Sequence, residues 1–404
     1  MLFSKNVQQS LSELELSTSS PGTLLHDFDR FLAWVTHEPV PLSKGKKQPV
    51  QKWASALNSE LAVPDTTTLK RPLTIHYPTV LGLHLLARAS GLCRVKLVGA
   101  NNIQLVLNEP MLTQWRQLTP PERYFSLFEA WLVRGHAHII GEDLGGRDDR
   151  FLGCSGIIFT RQASFSEEPI KQQWLEIIPS KVGTYNLALL KLFGLASLKW
   201  ADKNQLELLQ FTPTGVLLLN ACQHRTEILG GLDIPGGCLA ELLEENGMEK
   251  ALEGCRKDVN RLLRLPEDKI FESYLLKISL PGQKCSRSLQ VPKEAKLDQL
   301  AIEILTAFSF DFDHLYYFDT ESIYGVNYRI GHPEIISCCD EYTDATRLMD
   351  LSLEVGERIR FVYDLGENWE FDLLVSEGQD QSREQIMLTK QHGLAPSQYQ
   401  DEHI

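Results

Sequence analysis

The strongest constraint on the fold lies near the C-terminus, where large apolar residues alternate on both sides of a short acidic run. Ile359, Phe361 and Tyr363 take every second position before Asp364-Leu365-Gly366-Glu367-Asn368, and Trp369, Phe371, Leu373 and Val375 do so after it. A period of two puts such residues on one face of a strand. Closing the five-residue run as a hairpin loop sets Tyr363 opposite Trp369, Phe361 opposite Phe371 and Ile359 opposite Leu373. A slip of one residue would turn the aromatic row to solvent, so the register is strongly specified. On the other face Arg360 meets Asp372, a pair worth about 0.2–1 kcal/mol. Tyr363, Gly366 and Trp369 therefore read first as a structural signature, with Tyr363 and Trp369 as a cross-strand aromatic pair.

The neighbouring residues extend this pattern. Tyr274, Leu276, Ile278 and Leu280 alternate up to Pro281-Gly282, and Leu297, Leu300, Ala301, Ile304 and Leu305 share one helix face. His314, Tyr316 and Phe318 alternate in a further strand. Residues 272–400 thus predict an α+β domain with a mostly antiparallel sheet.

The first 265 residues read differently. Residues 1–22, polar up to Pro21-Gly22, predict a flexible leader. Thr23 opens a helix to His37, the basic loop Lys44-Gly45-Lys46-Lys47 follows, and a second helix starts at Pro49. Tyr77 to Ser90 is helical and ends at Gly91, a hairpin spans 92–107, and Thr119-Pro120-Pro121-Glu122 is a capping box. The same order recurs over Tyr185–Phe193, Gly194, a second hairpin and Thr212-Pro213-Thr214. A helix followed by a two-stranded wing is the winged-helix pattern, so two winged-helix-like helical units are expected, at 23–140 and 157–264. Gly141–Gly156 reads as a loop and 237–264 as a helical pair. A domain boundary falls between Leu265 and Phe271.

A chain of 404 residues suits two or three domains. Its eight cysteines include no C-x-x-C pair, so they read as reduced thiols in a cytoplasmic protein rather than a disulfide framework. The vicinal Cys338-Cys339 reads as two small buried residues. No charge-free apolar stretch is long enough to span a bilayer, and the start lacks a signal-peptide apolar region. Residues 1–135 carry 14 basic against 10 acidic residues, 136–265 carry 14 against 17, and 266–404 carry 12 against 26. The acidic end should repel phosphate backbones, so any nucleic-acid contact belongs to the first third.

At this point a resemblance becomes usable. The stretch Tyr363 to Phe371 resembles the signature of the plasmid pRiA4b Orf-three-like family: a tyrosine, Asp-Phe-Gly-Asp, a variable residue and Trp-Glu-His. Ser309 to Leu315 is similar to its Gly-Trp, Asp and His-Leu segment, and Gly393 to Tyr399 to its closing Gly-x-Ala-Pro-x-Gln-Tyr. Ser309 and Phe310 stand for Gly-Trp, Leu365 for Phe, Glu367 for Asp and Phe371 for His, and Cys285-Ser286-Arg287-Ser288 for Ile-Trp-Arg-Arg. The resemblance covers about 272–400 and implies an α+β fold in a bacterial, mobile-element setting, with no established reaction.

Two constellations follow. Asp311, Asp313, His314, Asp364, Glu367 and Glu370 form a candidate acidic pocket for a divalent metal or a basic ligand. The alternative is that Asp364 and Glu367 serve the turn and the others are solvated. Lys44, Lys46, Lys47, Lys52, Lys70, Arg71, Arg94 and Lys96 are candidate nucleic-acid contacts, or a solvated basic face. The helices Tyr77–Ser90 and Tyr185–Phe193 offer a DNA groove only His84, Arg88 and Lys191.

Minor groupings read as loops or scaffold. They are His136-x-His138 with Asp143, Cys222-x-His224, Cys154-Ser155 between glycines, and Gly230-Gly231 with Gly236-Gly237. The sequence thus predicts a non-enzymatic binding protein without a cofactor, associating with protein or DNA through its N-terminal region. The alternative is a metal-dependent enzyme using the acidic pocket.

Overall fold

The computed structural model describes residues 5–67, 69–98, 102–142, 144, 149–159, 165–200, 205–223, 247–250, 252–265, 271–321, 327–335, 339, 341–351, 353 and 355–399. The chain divides into two compact units, Met1–Leu265 and Pro266–Ile404, and its class is α+β.

The first unit is mainly helical. Its described elements are α1 (Lys5–Glu13), α2 (Leu24–His37), β1 (Val40–Pro41), α3 (Gln51–Asn58), α4 (Pro78–Ala89), β2 (Cys93–Val98), β3 (Asn102–Leu107), α5 (Glu109–Arg116) and α6 (Pro120–Arg134). They continue with α7 (Phe151–Phe159), α8 (Gln172–Leu175), α9 (Ile178–Val182), α10 (Thr184–Leu192), β4 (Ala196–Trp200), β5 (Leu206–Phe211) and α11 (Pro213–Gln223). Both helix–hairpin–helix segments are present, and they share one core. Gly82 of α4 lies against the Leu189 side chain and the Tyr185 carbonyl of α10, where an added Cβ would come within 3.0–3.2 Å. Trp131 donates to Asn186 Oδ1 at 2.8 Å, and Tyr124 donates to the Phe193 carbonyl at 2.8 Å.

Four features differ from the sequence reading. Residues 5–13 of the expected leader are helical; Leu11 is buried, and the Arg256 guanidinium donates to the carbonyls of Leu11 and Leu14. The glycine-rich stretch 141–156 contains the start of α7. The first hairpin gains a third strand, since β1 pairs with β3, Val40 opposite Leu105 and Pro41 opposite Gln104. Finally, part of the expected helical pair over 237–264 is a strap in which residues 259–265 take no regular structure. Side chains of α5 and α6 take its amides: Glu122 accepts from Asn260 and Arg261, Ser126 from Leu263 and Gln114 from Arg264.

Glu122 has a double task. As the third residue of α6 it completes the capping box, accepting from Thr119 N–H at 2.8 Å while the Thr119 hydroxyl accepts from Glu122 N–H. Burial pushes its carboxyl up, but the amides of Thr119 and Asn260 outweigh this and hold it below its ordinary value.

The second unit holds β6 (Ser273–Ser279), β7 (Ser286–Pro292), α12 (Leu297–Phe308), β8 (Tyr316–Glu321), β9 (Asn327–Gly331), β10 (Glu341–Tyr342), β11 (Arg358–Tyr363), β12 (Trp369–Gln379) and β13 (Met387–His392). Its eight strands run in the order β10-β9-β8-β11-β12-β6-β7-β13, antiparallel except for β10 beside β9. The β11–β12 register is the one the alternation requires: Tyr363 opposite Trp369, Phe361 opposite Phe371 and Ile359 opposite Leu373. The apolar face of α12 (Leu297, Leu300, Ala301, Ile304, Leu305, Phe308) is buried with this row. Burying one such side chain is worth about 1.5–3 kcal/mol, so the apolar row, not the ion pairs, fixes the register.

Glu122→Ala removes the cap and orphans the strap amides. We expect a loss of about 2–4 kcal/mol of stability in the first unit. Urea unfolding followed by tryptophan fluorescence reads this directly, because six of the seven tryptophans lie in residues 1–265. The carboxyl is depressed, so its contribution is present above the ordinary glutamate range and fades as pH falls through the folded value. An unchanged midpoint would refute the latch.

Candidate functional site

The three segments that carry the family resemblance converge at one end of the second sheet. Tyr363 ends β11 with its ring fully buried. Its hydroxyl lies 2.6 Å from the Asp311 carbonyl and 2.9 Å from Asp313 Oδ1, both acceptors for its single proton. The same oxygen accepts from the Asp313 backbone N–H at 3.1 Å. The closing segment docks beside it: Gln398 Oε1 accepts from Asp311 N–H at 2.6 Å, and Tyr399 donates to Asp313 Oδ2 at 3.1 Å. The Tyr363 hydroxyl, opposed by desolvation and helped by Tyr399, holds the Asp313 carboxyl below its ordinary value. Desolvation and the bond to Asp313 push Tyr399 up to about 12.

Of the expected acidic pocket, Asp311, Asp313, His314 and Asp364 gather here. His314 Nε2 lies 3.6 Å from both Asp313 Oδ1 and Asp364 Oδ2. The ring lies just before β8, which begins at Tyr316. Asp364 is a turn residue: with φ +56 its Oδ1 accepts from Gly366 N–H at 2.9 Å and Glu367 N–H at 3.3 Å. Glu367 is exposed at the tip. Glu370 does not join them, because strand alternation sends it to the opposite face, 3.7 Å from Arg360. Among the described residues, no group of three or more His, Cys, Asp or Glu is placed to hold a metal ion.

Two finer sequence expectations are corrected. Arg360 is in register with Asp372, but its nearest ion partner is Asp319 of β8, at 2.5 Å, because β11 is paired on both sides. Asp319 also binds Arg329 at 2.8 Å, and Arg329 lies 3.9 Å over the Tyr317 ring. Burial raises the Asp319 carboxyl, but the two arginines outweigh this and hold it below its ordinary value. The Tyr363 and Trp369 rings, though opposite in register, turn to other partners. Tyr363 meets His314 at 6.0 Å, and Trp369 sits edge-on to Phe310 at 4.9 Å.

The signature's remaining arginine is scaffold as well. Arg287 is buried, donates to the carbonyls of Ala307, Ser286, His392 and Gly393, and lies 4.7 Å from the Phe308 ring. Its charge thus meets the C-terminal carbonyls of α12, where a cation is favoured.

On the first unit, Lys44, Lys52, Lys70, Arg71, Arg94 and Lys96 are exposed. Lys46 is paired with Glu142 at 2.9 Å. Lys47 is half-buried in a left-handed turn (φ +51), and its carbonyl lies 3.0 Å from His84 Nε2. Burial first, and Arg88 second, lower His84 to about 3, so the neutral ring donates to Lys47. His84 and Arg88 are buried within α4 and are not available to a DNA groove.

His136 and His138 converge on Asp149, with His136 Nδ1 at 2.6 Å from Oδ1 and His138 Nδ1 against Oδ2. Burial raises the Asp149 carboxyl, but these two rings outweigh it and hold it below its ordinary value. Asp143, His224, Cys338 and the glycine pairs at 230–237 lie outside the described residues.

Gln398, Tyr399 and Arg287 were not among the expected site residues. The closing motif carried the signal for the first two, and only the fold brings them to Asp313.

The second unit is an α+β domain whose signature residues lock one end of an eight-stranded sheet. Residues 272–397 match the family described as Plasmid pRiA4b ORF-3-like protein. Among solved structures, the crystal structure of a protein of unknown function, MM3350, from Methanosarcina mazei Go1 is similar. It is 20% identical, covers 31% of this chain and 72% of that chain, and has a TM-score of 0.28. No curated protein matches the chain.

Tyr363→Phe deletes the hydroxyl and keeps the ring. We expect the Asp313 carboxyl to move up toward the ordinary aspartate range, read by carboxylate NMR titration. The acid limb of its titration should shift to higher pH with it, since a depressed carboxyl loses its contribution as pH falls through the folded value. An unmoved titration would show that the hydroxyl does not hold Asp313.

Proposed function

We propose that the chain is a non-enzymatic binding protein that contacts duplex DNA through a basic face of its first unit, with the second unit as a separate binding module. One observation carries the reading. The β1–β3–β2 register sets Lys96 beside Gln104 and Pro41, and Arg94 beside Val106, so Arg94 and Lys96 share the outer face of a three-stranded sheet. The inner face is buried at Val40 and Leu105. Residues 39–59 carry Lys44, Lys46, Lys47 and Lys52 with no acid among them, Lys46 being met by Glu142 from outside that stretch, and residues 66–108 contain no Asp or Glu either. Such a face suits phosphate oxygens, which give affinity without sequence readout.

The buried α4 argues against a recognition helix, so the winged-helix-like reading becomes one of contact through the wing. The metal-dependent alternative gains no support from donor geometry among the described residues. No helix among them is long and apolar enough to cross a membrane. A cytoplasmic location remains part of the proposal.

Binding to a labelled duplex, titrated against salt, tests this. Arg94→Glu with Lys96→Glu should weaken binding and flatten the log affinity–log salt slope by about 2, one unit per lost phosphate contact. No binding at low salt, or an unaltered slope in the double variant, would remove DNA from the reading.

A further inference from the structure

A second surface of the first unit is distinct in character from the basic sheet. Of the five large apolar side chains exposed among its described residues, four lie within thirteen positions: Val63 (47%), Leu69 (50%), Leu73 (64%) and Ile75 (41%). Exposed apolar residues scattered singly need no explanation, but a concentration of this kind does. Between them stand Lys70 and Arg71, both exposed.

The loop that carries them is anchored at both ends. Asp65 exchanges two hydrogen bonds with the Asn58 side chain, at 2.9 and 3.0 Å. Its carboxylate accepts from the Thr79 N–H and hydroxyl at 2.8 and 2.7 Å. Further on, the Thr74 hydroxyl donates to the Pro49 carbonyl at 3.0 Å, and Leu73 N–H donates to His76 Nδ1 at 2.8 Å. Pro64 and Pro72 stiffen the backbone between. The anchored ends lower the ordering cost of binding.

We propose that this loop docks a peptide segment of a partner protein that presents acidic side chains among leucine-like ones. Charge sets the partner's sign, because residues 66–108 lack a single acid to neutralise Lys70 and Arg71, and the Asp65 carboxylate at the start of the loop is engaged by Thr79. The apolar residues exclude a purely electrostatic partner: Leu73, the most exposed, contributes nothing to a phosphate contact. An anionic membrane fits less well, since membrane-binding basic clusters draw on about four to eight Lys or Arg and this loop has two. The assignment is independent of the DNA reading, which uses Arg94 and Lys96.

The full chain should bind a fluorescent peptide of alternating glutamate and leucine saturably, in an anisotropy titration, and its lysine–leucine counterpart weakly. Leu73→Asp, and separately Lys70→Glu with Arg71→Glu, should each weaken binding about tenfold or more, as central contacts do. Both variants alter exposed side chains, so the thermal midpoint should hold, and Arg94→Glu with Lys96→Glu should bind the peptide normally. No saturable binding, equal binding of the lysine peptide, or indifference to Leu73→Asp overturns the proposal. Phosphatidylserine vesicle co-sedimentation abolished by the same substitutions would assign the loop to a membrane surface instead. A dimer in sedimentation velocity that they dissolve would assign it to a second copy. Either result displaces the peptide.

Discussion

The organisation of the second unit depends on one side chain that belongs to two environments. The Tyr363 ring is buried in the aromatic row beside Phe361, while its hydroxyl reaches the 311–313 loop. A tyrosine suits this place because its body is apolar and its tip polar. Phenylalanine would fill the same volume and leave the Asp313 amide without that acceptor. Once the loop is fixed, Asp311 N–H faces Gln398 and Asp313 faces Tyr399, so the closing segment has a place to dock. Asp311, Asp313 and Asp364, which looked like part of a reactive constellation, are thus bound to Tyr363, Gln398, Tyr399 and the turn amides.

The first unit solves a different problem, which is to hold irregular backbone against a helical core. Buried peptide groups need partners. Here the partners are side chains: Glu122 and Ser126 for the strap, Arg256 for the end of α1, and His84 for the left-handed turn at Lys47. Of these, only Glu122 was signalled by pattern, through its capping box, and its bonds to the strap were not. The burial of His84 and Arg88 explains why α4 cannot read a groove.

This also marks what was legible in the sequence. The β11–β12 register, the α12 face, the Thr119–Glu122 capping box and the Gly91 terminus at φ +74 follow from local periodicity and backbone preference, which act over a few residues. Long-range choices were not legible. Arg360 pairs with Asp319 rather than Asp372 because β11 has a second neighbour, which only the sheet order reveals. Glu370 was grouped with Asp364 by proximity in sequence, although the alternation that fixed the hairpin already placed it on the other face. Likewise Asp149, eleven residues beyond His138, meets both histidines, a contact that spacing does not predict.

The distribution of charge then acquires a structural meaning. In the second unit much of the acidic signature is engaged internally: Asp313 by two tyrosines, Asp364 by its own turn and Asp319 by two arginines. Several cations of the first unit stand on open surface, among them Lys96 on the sheet and Lys70 and Arg71 on the anchored loop. Exposed cations keep their long-range field and are screened over about 8–10 Å by physiological salt, whereas paired ones are largely cancelled within their own pair. Binding by the first unit should therefore be steered by charge and sensitive to ionic strength. At the loop, where four apolar side chains accompany the two cations, high salt should weaken the complex less than it weakens contact through the sheet. That difference in salt response follows from the composition of the two surfaces alone.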